Sequence, residues 1–328
     1  MADTFRALVA RQVDGAQKVG IEDLQEADLP AGDVTVDVEY SSFNYKDGLA
    51  LQGKSRILRS FPIVPGIDFA GTVRHSASNA FKVGDRVALT GWGVGESWSG
   101  GFAERARVKA EWLVKLPDSM TIRQAMVAGT AGLTSMLCVM ALEDHGLKAG
   151  ARVLVSGASG GVGSVAIRLL AKRGYQVTAL TGRKSEEDYL CALGASEIVA
   201  RSQFQEPGKP LAAEQWDAAV DSVGGTILAN ILASIRYRGA VAACGLAGGS
   251  DLRTTVFPFI LRNVALLGVD SVQCPKSARE VAWRELAKEL GGESEELELA
   301  TETNLEGLAT LAGEILAGKV RGRTIVKL

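Results

Sequence analysis

Apolar and polar positions alternate along the first third of the chain. Residues 5–11 and 34–40 follow a two-residue period, the latter with Val34, Val36, Val38 and Tyr40 on one face. That period predicts half-buried strands, because successive side chains of a strand point to opposite sides. Other short apolar runs are bounded by turn residues: Ile63-Val64 runs into Pro65-Gly66 ahead of residues 68–73, and Gly84-Asp85 precedes Arg86-Val87-Ala88-Leu89. Many short strands with glycine-rich turns predict a small barrel-like β domain.

Beyond Pro117 the rhythm changes. Residues 122–142 have helical spacing, and strand and helix patterns then alternate. Strands are expected over 152–156, 176–180, 217–221 and 239–243, with helices over 163–172 and 185–193 and another between the last two strands. This alternation predicts a doubly wound parallel sheet. A helical block over 278–290 leads into an acidic segment ending at Glu302, read as a solvated face; a helix over 305–317 and a strand over 323–327 close the chain. The expected class is α/β, with a β-rich domain over 1–122 and 271–328 and a dinucleotide-type domain over 123–270.

The stretch from Gln124 to Leu142 carries no charge, and by length it could span a bilayer. It contains Gly129, Thr130, Gly132, Thr134 and Ser135 and has no aromatic residue at either end. A buried loop and helix is therefore expected, without membrane association.

Composition narrows the function classes. At 328 residues the chain is about twice the usual domain size, which suits two domains. Lys plus Arg number 36 against 38 Asp plus Glu, a net charge of −2, so no basic footprint for nucleic acid exists. Four cysteines stand far apart at 138, 191, 244 and 274, with no Cys-x-x-Cys pair. Neither a zinc lobe nor a disulfide framework is expected; reduced, buried thiols in a cytoplasmic protein are, with Cys244 as a possible pocket lining. The N-terminus lacks the basic and apolar regions of an export signal. His75 and His145 are read as surface or loop residues.

The strongest chemical signal is Val153-Leu154-Val155-Ser156-Gly157-Ala158-Ser159-Gly160-Gly161-Val162-Gly163. An apolar strand runs into a glycine cluster and then a helix, the context in which backbone N–H groups and a helix N-terminus hold a pyrophosphate. For NAD a carboxylate is expected at the end of the next strand. Here that end reads Leu180-Thr181-Gly182-Arg183-Lys184. Small polar residues and cations suit a 2′-phosphate, so NADPH is the expected cofactor, with Ser159, Gly160, Gly161, Val162, Thr181 and Arg183 as contacts.

The segments Asn44-Tyr45-Lys46-Asp47, Pro65-Gly66-Ile67-Asp68-Phe69-Ala70-Gly71, Gly84-Asp85-Arg86-Val87 and Gly129-Thr130-Ala131-Gly132-Leu133-Thr134, followed by the glycine turn, resemble the medium-chain dehydrogenase/reductase superfamily in the right order. The resemblance implies a GroES-like catalytic domain and a Rossmann cofactor domain. Where zinc-dependent members hold Cys, His-Glu and Cys, this chain has Asn44, Ile67-Asp68 and the Gly129 segment, so no metal is expected. Within the zinc-free, quinone oxidoreductase-like branch the chain is most similar to the acrylyl-CoA reductase group, through residues 42–50, Phe259-Ile260-Leu261-Arg262-Asn263-Val264 and the ending Val320-Arg321-Gly322-Arg323-Thr324.

That resemblance implies NADPH-dependent reduction of acryloyl-CoA to propionyl-CoA, with quinone or enone reduction as the alternative. Asn44, Tyr45 and Asp47 become candidate catalytic residues: Asn44 as orienting donor, Tyr45 as acid or stacking wall, and Asp47 as a participant or as the residue fixing the loop. Lys54, Arg56 and Arg59 offer cations for the phosphates of a CoA thioester, with Tyr45 also facing substrate. Thr130 and Thr134 are candidates for nicotinamide or ribose contacts. Ser222, Gly245 and Leu246 follow later strands at the cofactor edge of the sheet. Asn263 and Arg323 enter as cofactor contacts only through the resemblance. The apolar run at 264–269 is expected as an edge strand that, as in similar reductases, pairs across a homodimer.

Overall fold

The computed structural model describes residues 3–290 and 299–328, and the chain divides into two compact units, residues 1–133 with 271–328 and residues 134–270. The division falls at Leu133 and Thr134, within a helix, where the sequence pattern suggested 122/123. Most of the acidic segment ahead of Glu302 lies outside the described residues.

In the first unit β1 (Thr4–Val13) and β2 (Ala16–Gln25) form an antiparallel hairpin. Then follow β3 (Val34–Phe43), α1 (Tyr45–Leu51), β4 (Asp68–Ser76), β5 (Arg86–Thr90), β6 (Arg105–Val108), β7 (Val114–Lys115) and α2 (Ile122–Asp144). β3 is the hub of the seven-stranded sheet, pairing with β4, with β6 and with the C-terminal strand. The expected alternation buries Val34, Val36 and Val38 with Phe69, Val73, Val87 and Leu89, while Tyr40 stays half-exposed. On the other side, Phe43 stacks on Phe102 with ring centroids 5.9 Å apart, in a core shared with Phe5 and Leu8.

The second unit carries β8 (Arg152–Ser156), α3 (Gly161–Lys172), β9 (Gln176–Thr181), α4 (Glu187–Ala192), β10 (Ala195–Ala200), β11 (Trp216–Asp221), α5 (Gly225–Ser234), β12 (Ile235–Ala243), α6 (Phe257–Arg262) and β13 (Ala265–Gly268). All six strands are parallel in the order β10-β9-β8-β11-β12-β13. This is the doubly wound dinucleotide order, with its switch point between β8 and β11. Buried on both faces, the central strands read as continuous apolar runs: Val153, Leu154, Val155, Ala218, Ala219 and Val220 are all at most 1% exposed. The chain returns to the first unit through α7 (Lys276–Leu290), β14 (Ala300–Thr303), α8 (Leu308–Leu316) and β15 (Arg323–Lys327).

Helix α2 differs from its expected form. By length and composition it could cross a membrane, yet 78% of its apolar window is buried in the protein. It is also broken at Gly129 (φ 52, ψ −155). That φ favours glycine, and a side chain there would strike Ser42 Oγ at 2.6 Å, Asp68 Oδ2 at 2.7 Å and Arg323 Nη2 at 2.8 Å. The Gly129-Thr130 step thus bends the chain onto a polar cluster of the first unit.

Candidate functional site

The chemistry expected from the sequence falls into two places, one in each unit.

In the first unit, the end of β3, the start of α1, the start of β4 and the α2 break converge. Asn44 caps α1: its backbone N–H donates to Asp47 Oδ2 at 2.8 Å, and the Asn44 side chain accepts from the Asp47 backbone N–H, a capping box. Asp47 Oδ1 accepts the Ile67 N–H at 3.1 Å, fixing the loop ahead of β4. Asp68 is the hub of the cluster. It accepts from Ser42 Oγ (2.5 Å), Asn44 Nδ2 (2.9 Å), the Thr130 backbone N–H (2.8 Å) and Thr130 Oγ1 (2.5 Å).

Arg323 enters from β15. Its guanidinium donates to Val127 O (3.0 Å), Asn44 Oδ1 (3.2 Å) and Ser42 Oγ (2.8 Å), and the residue is only 2% exposed. Both ends of the Asn44 amide are therefore engaged within the protein, as is the Arg323 side chain expected at the cofactor. Burial first, and the Asp68 charge second, push the Asp47 carboxyl up to about 7.

The arrangement does not suit zinc. The side chains at the resembling positions are an amide, an isoleucine and one carboxylate, and a guanidinium binds the Asn44 amide oxygen that a metal would need. Among the described residues no group of three or more His, Cys, Asp or Glu side chains converges. His75 and His145 are both exposed.

The expected substrate residues lie on and after α1. Tyr45 is 43% exposed at the first position of α1. Lys54, Arg56 and Arg59 all reach solvent, Arg56 with φ 47, and the Arg59 N–H donates to Glu96 O at 2.8 Å. The sequence reading missed the ion pair of Lys46 with Glu96 at 2.9 Å, whose carboxylate side chain is 12% exposed. Its partners stand fifty positions apart, beyond any local pattern.

In the second unit, the turn after β8 has the geometry of a phosphate cradle. Gly157 has φ 58, and a Cβ on it would lie 2.5 Å from Ser222 Oγ. A Cβ on Gly163 would lie 2.3 Å from Gly157 O, so only glycine lets α3 pack this close to the turn. The first intrahelical bond runs from Ser164 N–H to Gly160 O. The amides of Gly161, Val162 and Gly163 precede it and face the helix N-terminus, where an anion is favoured.

At the end of β9, Thr181 Oγ1 accepts the Arg183 N–H at 3.1 Å. The Arg183 guanidinium folds back onto the turn, donating to Ser159 Oγ (2.6 Å through Nη2, 3.2 Å through Nε) and Ser159 O (3.2 Å). The residues meant to hold a 2′-phosphate are thus brought together beside the pyrophosphate cradle.

A second network ties β8 to β11 at the switch point. Ser156 Oγ donates to Asp221 Oδ1 at 2.5 Å, and Asp221 Oδ2 accepts the Gly224 N–H at 2.8 Å. The Ser222 N–H donates to Ser156 Oγ and its hydroxyl to Ser156 O, at 3.1 and 3.3 Å. Burial pushes the Asp221 carboxyl up from its ordinary value. Gly245 is half-buried and Leu246 exposed in the loop after β12, while Asn263 caps α6 in the left-handed region at φ 51. Thr134 is buried within α2. Of the four free thiols, Cys138 and Cys274 are buried, Cys244 is half-buried beside Asp221, and Cys191 is exposed, contrary to the expectation that all four pack inside.

Comparison with known proteins agrees with this layout. The "Alcohol dehydrogenase GroES-like domain" family profile matches residues 30–118, and the "Zinc-binding dehydrogenase" profile matches residues 161–288. Acrylyl-CoA reductase AcuI of Ruegeria pomeroyi is 50% identical over 326 residues, covering 98% of this chain and 98% of that protein. Among solved structures, the YhdH oxidoreductase of Salmonella enterica in complex with NADP matches with TM-score 0.96 and 54% identity, over 98% of this chain and 99% of that one. YhfP of Bacillus subtilis with NAD bound matches with TM-score 0.95 and 43% identity, over 100% of both. With both family profiles met in order and half of its positions shared with a full-length relative, the chain belongs to the medium-chain dehydrogenase/reductase superfamily, in the quinone oxidoreductase-like branch that holds the acrylyl-CoA reductases.

Proposed function

We propose that the chain is a zinc-independent, NADPH-dependent 2-enoyl-CoA reductase that converts acryloyl-CoA to propionyl-CoA. The observation that carries this reading is full-length similarity to an acrylyl-CoA reductase, 50% identity over 98% of both chains. Arg183, seated on Ser159 where an NAD-binding chain would present a carboxylate, supports NADPH.

NADPH supplies the hydride for the β-carbon when bound. The chain's own tasks are to cradle the pyrophosphate on the amides of residues 161–163, to hold the 2′-phosphate with Arg183, and to donate hydrogen bonds where negative charge develops on the thioester oxygen. Tyr45, whose exposed ring carries a phenol, is the proposed substrate contact and the candidate proton source for the α-carbon. Asn44 and Asp47 set the loop that presents it. Lys54, Arg56 and Arg59 would meet the CoA phosphates. Thr130, Thr134, Ser222, Gly245, Leu246 and Asn263 are the remaining proposed cofactor contacts, and Arg323 would serve by positioning Asn44 and Ser42. The first unit would then be the catalytic domain and the second the cofactor domain.

A cytoplasmic homodimer fits this reading. Among the described residues β13 pairs only with β12, leaving one edge open, and nearby Phe257, Ile260, Leu261 and Leu266 are between 37% and 68% exposed. Such an apolar patch beside an open strand edge suits a second copy of the chain. Mass spectrometry of the product tests the chemistry. With 4-deuterated NADPH the expected product is propionyl-CoA labelled at the β-carbon, and in deuterated water it is labelled at the α-carbon. Failure to form propionyl-CoA would overturn the proposal.

A further inference from the structure

We propose that Cys138 and Cys244 form a dithiol modification site, which a hydroperoxide converts to a disulfide at the cofactor edge of the parallel sheet. Neither thiol has a task in the reaction proposed above.

Both residues belong to the second unit, far apart in sequence. Cys138 lies in the second half of α2, where Ser135, one turn earlier, donates from Oγ to Val162 O at 2.8 Å. That half of the helix therefore packs on the edge of the sheet that carries the glycine turn. Cys244 is the first residue after β12, whose last residue, Ala243, is in register with Asp221, the last of β11. The Cys244 N–H donates to Asp221 O at 2.9 Å, and its thiol donates to the same oxygen at 3.4 Å. The Cys138 side chain hydrogen-bonds to Cys244. The two thiols thus form a chain that ends on Asp221 O.

Exposure divides the work between them. Cys138 is 0% exposed, whereas Cys244 is only half-buried and meets solvent first. The bond to Cys244 and then burial hold Cys138 as a thiol, above its ordinary range. A small, neutral oxidant suits a thiol of such limited access. The Cys244 sulfur attacks one peroxide oxygen, the O–O bond breaks, and an alcohol or water leaves with the thiol proton; Cys244 is then a sulfenic acid. The Cys138 sulfur next bonds to the Cys244 sulfur, the S–O bond breaks, and the hydroxyl leaves as water with the Cys138 proton. Two electrons pass from the sulfurs to the peroxide, and a dithiol reductant reverses the change.

The loop that follows Cys244 is closely seated. Gly248 N–H donates to Val223 O at 2.8 Å, Ala247 N–H donates to Ser222 O at 3.5 Å, and a Cβ on Gly245 would lie 2.3 Å from Ser222 O. Forming the S–S bond draws the Cys244 sulfur from Asp221 O toward Cys138 and disturbs that seat. Gly245 and Leu246 are proposed cofactor contacts, so the disulfide weakens NADPH binding. This consequence, unlike the disulfide itself, rests on the NADPH reading above.

The experiment treats the full-length Cys191→Ser chain, which lacks the exposed thiol, with hydrogen peroxide, then alkylates it after unfolding and maps its peptides by mass spectrometry. A Cys138–Cys244 crosslink that dithiothreitol reverses is expected, with both thiols lost to alkylation together. In Cys138→Ala the oxidation should stop at a sulfenic acid on Cys244, trapped by dimedone. Calorimetric titration should then show the oxidised chain binding NADPH at least about threefold more weakly than the reduced one. Both thiols still open to alkylation, or Cys244 driven to sulfinic acid while Cys138 stays free, would overturn the site, and neither result depends on the Cys138 variant folding. Equal NADPH affinity in the two forms would overturn the consequence for the loop. A reduced chain that prefers NADH would instead overturn the NADPH reading.

Discussion

The Asn44–Asp68–Arg323 cluster of the first unit and the strand ends around Arg183 in the second are built from similar residue types but spend them differently. In the first, the charges face inward. Arg323 is 2% exposed and Asp68 is fully buried, and Arg323 and Asn44 bond to other groups of the protein. In the second, the Arg183 guanidinium is held on Ser159, and Arg201 reaches solvent. The loop after β3 thus spends its polar groups on one another, while the amides of the glycine turn lie at a helix N-terminus. A buried polar network must be satisfied to be tolerated, whereas a binding site needs groups whose partners are still missing.

The largest effect is expected where the inward network is broken. Arg323→Ala leaves Asn44 Oδ1, Ser42 Oγ and Val127 O without their charged donor and should cost about 1–3 kcal/mol of stability, read by denaturant unfolding. A loss near zero would place Arg323 outside the scaffold and back among the ligand contacts.

Asp47 sharpens the same contrast through pH. Its folded carboxyl titrates at about 7 against an ordinary 3.8. Between those values the folded chain keeps a proton that the unfolded chain has lost, so stability falls as pH rises through the window. In Asp47→Asn that decline should be absent. Parallel stability profiles for the variant and the unaltered chain would show that Asp47 is charged when folded.

On the outward side, Arg183→Ala should weaken NADPH about thirtyfold, a loss near 2 kcal/mol, and NADH far less. Equal losses for both cofactors would reject its phosphate role. The smallest effect belongs to the exposed cations after α1. Replacing Lys54, Arg56 and Arg59 together by alanine should raise KM for a CoA thioester by roughly three- to tenfold, most at low salt, with kcat little changed. An unchanged KM at low salt would mean that this loop does not meet the CoA phosphates.

How far the sequence could be read follows from the range of each interaction. The glycine turn, its flanking strand and helix, and Arg183 lie within 32 residues, and the structure brings them together. The alternation of β3 and the apolar strands of the parallel sheet were equally local. β2 escaped notice because its ten residues are exposed or only partly buried, so no apolar period marks it. The helix α1 is hard to read because Asn44 and Asp47 suit catalysis and helix capping alike; an Asn three residues ahead of an Asp forms a capping box here. The break at Gly129 and the role of Arg323 depend on contacts across up to 281 positions.

The most direct test of the account follows NADPH oxidation with acryloyl-CoA, crotonyl-CoA, free acrylate and a simple quinone at matched concentrations. The account predicts turnover of the thioesters, fastest with acryloyl-CoA, little with free acrylate, and slower turnover of quinone. Strong turnover of quinone with none of either thioester would contradict it.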